Sequence, residues 1–162
     1  MRNTTSIAPS SVKLESENTP LERVMKYQNN AVVQRFMDKI GLNKGEATLL
    51  FEDTKRFLYL CGSKQKGDPT LAPPEKVDSG WHEFLLFTED YQQFCLTFFG
   101  RFIHHRPRRL EDPKGGGQVL RNTIALATAT FVTLSRNWFV EQAGDSDCND
   151  DCTPSTNCQD AK

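Results

Sequence analysis

The chain has 162 residues, a net charge of −1 and 37% apolar residues, which suits one compact domain with polar ends rather than two domains. No run is long and apolar enough to span a bilayer, and the first 18 residues lack the apolar centre of a signal peptide. Five cysteines with no secretory leader point to thiols or metal ligands rather than a disulfide framework, and the expected location is cytoplasmic.

Residues 1–18, rich in Ser, Thr and Asn, cannot bury enough apolar surface to order themselves and are expected to be a disordered leader. A helical domain is expected over 19–143, followed by an acidic, cysteine-containing tail over 144–162. The domain opens on Thr19, Pro20 and Glu22, the residue types of a capping box with proline at the first helical position. Leu21, Val24, Met25, Val32, Phe36 and Ile40 then recur at helical spacing, which predicts one helix closed by Gly41. Asn43 and Glu46 repeat the start signal. Ala47, Leu50, Phe51, Phe57, Leu58 and Cys61 mark the buried face of a second helix ending at Gly62, with Cys61 as a core thiol.

Residues 63–74 contain Gly67, Asp68-Pro69 and Pro73-Pro74 and read as a loop. Val77, Trp81, Phe84 and Leu85 share one face of a third helix, in which Gly80 is a weak point that only packing can compensate. Thr88 is expected to cap a fourth helix, with Glu89 and Asp90 in its first turn and Tyr91, Phe94, Cys95 and Phe98 on its apolar stripe. Gly100 closes it, and residues 102–105 follow as a short extended or turn-like piece before Pro107. After a loop ending in three glycines, Leu120, Ile124, Ala127, Phe131, Leu134 and Trp138 predict the longest helix, against which the others lean. No period-two run of β-branched residues occurs. The expected fold is all-α, a compact irregular bundle of about five helices.

Chemistry concentrates in residues 77–107, which hold all three histidines. Asp78 and His82 are four residues apart, so a helix sets both on one face, about 5–6 Å apart at Cβ. Cys95 lies on the next helix, and His104 and His105 follow the Gly100 turn. Imidazole, thiolate and carboxylate together suit zinc or another divalent transition metal, and four of Asp78, His82, Cys95, His104 and His105 would close a tetrahedral site. The competing reading is a metal-free network in which Asp78 or Glu83 orients His82, with Cys95 as plain core. A nucleophilic Cys95, served by His82 or His104 and oriented by Asp78, requires an exposed, acidified thiol.

The run Arg101, Arg106, Arg108 and Arg109 around Phe102 is a candidate phosphate-backbone contact. The same basic segment can equally attract the acidic tail within one molecule. Cys148, Cys152 and Cys158 in that tail can bind soft metals or belong to a disordered end. The sequence Lys114-Gly-Gly-Gly lacks the closing Gly-Lys-Ser/Thr of a P-loop and reads as a hinge.

The combination Val77-Asp78, Trp81-His82, Thr88, Tyr91, Phe94-Cys95, Gly100 and His104-His105 before Pro107 resembles the glycine-rich domain-containing protein-like family. That family occurs in plants within larger proteins and in bacteria as short separate chains. The resemblance covers residues 42–107 and implies no established activity. It does imply that Asp78, Trp81, His82, Cys95, His104 and His105 belong to one motif. The glycine-rich region of the family is reduced here to residues 115–117. The functional expectation is a non-catalytic metal-stapled module that binds a protein partner, with no organic cofactor. A metal-dependent enzyme using Asp78, His82, His104 and His105 is the alternative, and nucleic-acid binding through the arginine run the third.

Overall fold

The computed structural model describes residues 19–107, 116–139 and 156–160. The expected leader, the loop carrying Arg108 and Arg109, and the tail positions of Cys148 and Cys152 lie outside these. The fold is all-α, with six α-helices among the described residues and one short antiparallel strand pair.

Thr19 and Glu22 form the capping box that starts α1 (Pro20–Lys26). The continuous apolar spacing predicts one helix to Ile40, but the helix breaks at Tyr27. Asn29 then caps α2 (Asn30–Ile40), accepting from the backbone N–H groups of Ala31 and Val32. Tertiary contacts impose the break. Tyr27 packs its ring against Phe51, Phe84, Phe94 and Phe98. The Met25 and Tyr27 carbonyls each accept a 2.8 Å hydrogen bond from Lys55 Nζ. Periodicity cannot register a donor arriving from another helix.

Asn43 and Glu46 cap α3 (Lys44–Ser63) as their spacing predicts. At 20 residues α3 is the longest helix among the described residues, in contact with α1 and α2 and with all the elements of the site. It buries Leu50, Phe51, Phe57, Leu58 and Cys61, each large apolar side chain contributing about 2 kcal/mol. It also buries two charges. Asp53 accepts from Arg56, Asn137 and Trp138 at 2.9–3.0 Å and from the Ser135 hydroxyl. Lys55 lies over the Phe51 ring. Gly62 does not terminate α3: its Cβ position falls 2.2 Å from the Phe99 ring, so the absence of a side chain lets the helix carrying Phe99 approach.

After the loop, α4 (Glu75–Leu85) and α5 (Thr88–Phe99) form a tight helical pair. Thr88 is the first helical residue of α5 rather than its cap; Phe87 holds the cap position without a side-chain hydrogen bond. Gly80 is a packing device. A Cβ there would sit 2.6 Å from Thr54 Oγ1 and 3.1 Å from Leu50 Cγ, so α4 lies closer to α3 than any larger residue permits. Gly100, at φ +68°, closes α5 in the left-handed conformation.

The chain then runs into β1 (Ile103–Pro107), the extended piece expected after Gly100. It pairs antiparallel with β2 (Thr156–Asp160), His105 being the register partner of Cys158. The final helix, α6 (Gly116–Thr130), is shorter than the spacing through Trp138 predicts. Phe131 and Trp138 are buried, but through a turn and a 3₁₀ segment (Arg136–Trp138) drawn onto Asp53. Thr123 on α6 accepts from the Ala72 backbone N–H, pinning the proline-containing loop.

Candidate metal centre

Val77, Gly80, Trp81 and Phe84 form the buried stripe of α4. Asp78 and His82 follow Val77 and Trp81 by one residue each and so lie together on the flank of that stripe. His82 Nδ1 is 3.0 Å from the Asp78 carbonyl oxygen and 3.3 Å from Asp78 Oδ2.

The strand supplies the third group. Side chains alternate along an extended chain, so Ile103 and His105 turn inward while His104 turns out. Ile103 is fully buried. The His105 side chain is only 6% exposed, with Nε2 3.0 Å from Asp78 Oδ1. Its ring centroid lies 4.5 Å from that of Trp81 and 4.2 Å from that of His82. His104 is exposed and packs on the ring of Phe102 instead.

Of the five residues the sequence offers as ligands, the fold therefore gathers Asp78, His82 and His105. Their donor atoms all lie within 4.8 Å of one another. Cys95 is outside the group. It is fully buried on the stripe of α5 with Tyr91 and Phe94, a setting that disfavours a thiolate and admits no substrate. Cys95 thus stands apart from the gathered donors and does not present the exposed thiol that a nucleophile requires. Of the three, His82 is the accessible one, its side chain 48% exposed against 14% for Asp78.

Two imidazoles and a carboxylate are a recurrent donor set for zinc and for other first-row divalent ions. Donors about 2.1 Å from a tetrahedral zinc stand roughly 3.4 Å apart, so small side-chain rotations would bring these three together. Without a metal, the Asp78 carboxylate is hydrogen-bonded to His105 Nε2, while His82 Nδ1 is hydrogen-bonded to the Asp78 backbone carbonyl.

The site is held by Trp81 and Tyr91, whose helical spacing in the sequence reads as apolar packing. Tyr91 Oη accepts from Trp81 Nε1 at 3.0 Å and donates to the Ile103 carbonyl at 2.7 Å. The available signal is chemical: a buried indole N–H and a buried phenol each require a polar partner.

Of the arginine run, Arg101 and Arg106 fall within the described residues. Arg101 is half-buried and donates from Nη2 to the carbonyls of Cys61, Gly62 and Lys64 at 3.0–3.2 Å, capping α3. Arg106 lies on β1, and Arg108 and Arg109 are outside the described residues. A cleft of about 470 Å³ is lined by Leu42, Leu49, Glu75, Ser79, Arg136 and Phe139 among others, Glu75 and Ser79 lying on α4, and by none of the three clustered residues. No helix among the described residues is long and apolar enough to cross a membrane.

Residues 21–131 match the family described as UCP032817-like. The chain belongs to the UCP032817-like family. No curated protein and no solved structure matches it. The UCP032817-like match contains Asp78, His82 and His105 together with Trp81 and Tyr91, and stops before the 3₁₀ segment.

Proposed function

We propose that the chain is a small cytoplasmic metal-binding module. Asp78, His82 and His105 hold a divalent transition metal, zinc in the first instance, which ties α4 to β1 and steadies a surface for a protein partner. The observation that carries this reading is the convergence of three donors from two elements, while the neighbouring His104 is turned away. The same residues carry much of the resemblance to the glycine-rich domain-containing protein-like family, which supports one shared site.

The second reading is a metal-dependent enzyme. Three protein donors leave one position of a tetrahedral ion for water, as catalytic zinc requires, and the exposed edge of His82 is the side from which water would enter. Phosphate-backbone binding loses Arg101 to the cap of α3.

Elemental analysis of protein purified without chelator tests the proposal. One equivalent of zinc, lost in His82→Ala and His105→Ala, is the expected result. Metal-free protein that takes up no added zinc, cobalt, nickel or iron would leave the hydrogen-bonded network as the function of these residues.

A further inference from the structure

We propose that Tyr91 is the positioning residue of this centre, setting His105 in place through two buried hydrogen bonds that reach both sides of it. This inference rests on the metal-binding reading for its affinity readout and on geometry for the rest. Besides Asp78 and His82, His105 is placed by the strand that carries it and by the Trp81 ring against which it packs at 4.5 Å. The Tyr91 hydroxyl is bonded to that strand and to Trp81. It donates to the carbonyl of Ile103, two residues before His105, and accepts from the indole of Trp81.

One oxygen on α5 thereby joins α4 to β1 next to the donor atoms. Trp81, Tyr91 and Ile103 are all fully buried, so neither bond can be replaced by bulk water. Loss of the hydroxyl removes the hydrogen bond of a buried indole N–H and one accepted by the Ile103 carbonyl in the wall of the site. The indole and the start of β1 are then free to shift, and His105 shifts with them. The phenyl ring is held separately, by edge contacts with Phe84 and Phe102 at 5.2 Å, so Tyr91→Phe keeps its packing and folds. Groups that orient metal ligands from behind typically change affinity by about 10- to 100-fold when removed.

The experiment compares full-length wild type, Tyr91→Phe and Ser135→Ala by competitive zinc titration and thermal unfolding. Ser135→Ala removes a hydrogen bond to Asp53 at the contact between α3 and the 3₁₀ segment and controls for a loss of stability alone. Tyr91→Phe is expected to bind zinc about 10- to 100-fold more weakly than wild type, with Ser135→Ala unchanged. Wild-type affinity in Tyr91→Phe, or an equal loss in both variants, would overturn the assignment. Wild type that binds no zinc would overturn the metal reading and not this one. The position of His105 is then read from its imidazole NMR resonances and the amide exchange of His104, His105 and Arg106. Altered resonances and faster exchange in Tyr91→Phe but not in Ser135→Ala support the positioning role; unchanged spectra overturn it.

Discussion

His105 Nε2 lies 3.0 Å from Asp78 Oδ1 across 27 residues of chain. This contact turns a helical pair of neighbours, Asp78 and His82, into a three-donor cluster. Everything between the two residues serves it: the stripe of α4, the α5 hairpin, the left-handed Gly100 and the alternation of β1.

The alternation makes the two adjacent histidines separable. His104→Ala is expected to retain zinc stoichiometry within error, because His104 packs outward on Phe102. His105→Ala is expected to lose it, as is Asp78→Ala, and isothermal titration with zinc distinguishes the variants. Equal loss in the His104 and His105 variants would place both rings at the metal.

Lys55 provides a pH-dependent prediction. Burial pushes its ammonium from the usual 10.5 down to about 8, with Glu52 opposing and Arg56 reinforcing the shift. Below pH 8 the folded and unfolded chains both carry the proton. Between about 8 and 10.5 the unfolded chain holds a proton that the folded chain has released, so the Lys55 contribution to stability rises with pH across that window. Lys55→Met should be less stable at pH 7 by about 2 kcal/mol, because the carbonyls of Met25 and Tyr27 lose their donor. The stability difference between wild type and Lys55→Met, from urea unfolding at pH 7 to 10, should widen as pH rises. A difference that stays flat would show that Lys55 keeps its ordinary proton affinity.

Gly80→Ala should destabilise the fold by about 1–3 kcal/mol, although alanine is the better helix former. The added carbon meets Thr54 Oγ1 at 2.6 Å. In a double-mutant cycle Thr54→Ala should recover part of the loss, measured by chemical denaturation. Additive effects would mean that α4 moves away from α3 without resistance.

Asp53→Asn should cost about 3 kcal/mol, because Arg56 is then left beside a neutral group in a largely buried setting. The segment Arg136–Trp138 should loosen first, seen as increased solvent exposure in the fluorescence of Trp138 relative to Trp81. Unchanged Trp138 emission would show that apolar packing alone holds that segment.

The helical class, the start of α3 and the Asp78–His82 pair are legible in the sequence because they depend on local spacing and capping. Gly41 and Gly100 close helices as their positions predict. What local spacing does not carry is the effect of distant partners. Lys55 ends α1 from another helix, and Asp53 draws the residues after Thr130 out of the helical pattern. Cys95 and His105 illustrate the same limit at the site. Both occur within the chemically rich stretch, but the stripe of α5 takes Cys95 into the core while the pleat of β1 brings His105 to Asp78.

The central claim is that two imidazoles, one from α4 and one from β1, share a metal with Asp78. Zinc K-edge X-ray absorption of the loaded full-length protein tests it most directly. The expected spectrum contains the outer-shell scattering of two imidazoles with nitrogen and oxygen donors at about 2.0–2.2 Å. His105→Ala should reduce it to one imidazole. A loaded protein whose spectrum contains no imidazole scattering, or whose spectrum is the same after His105→Ala, would contradict it.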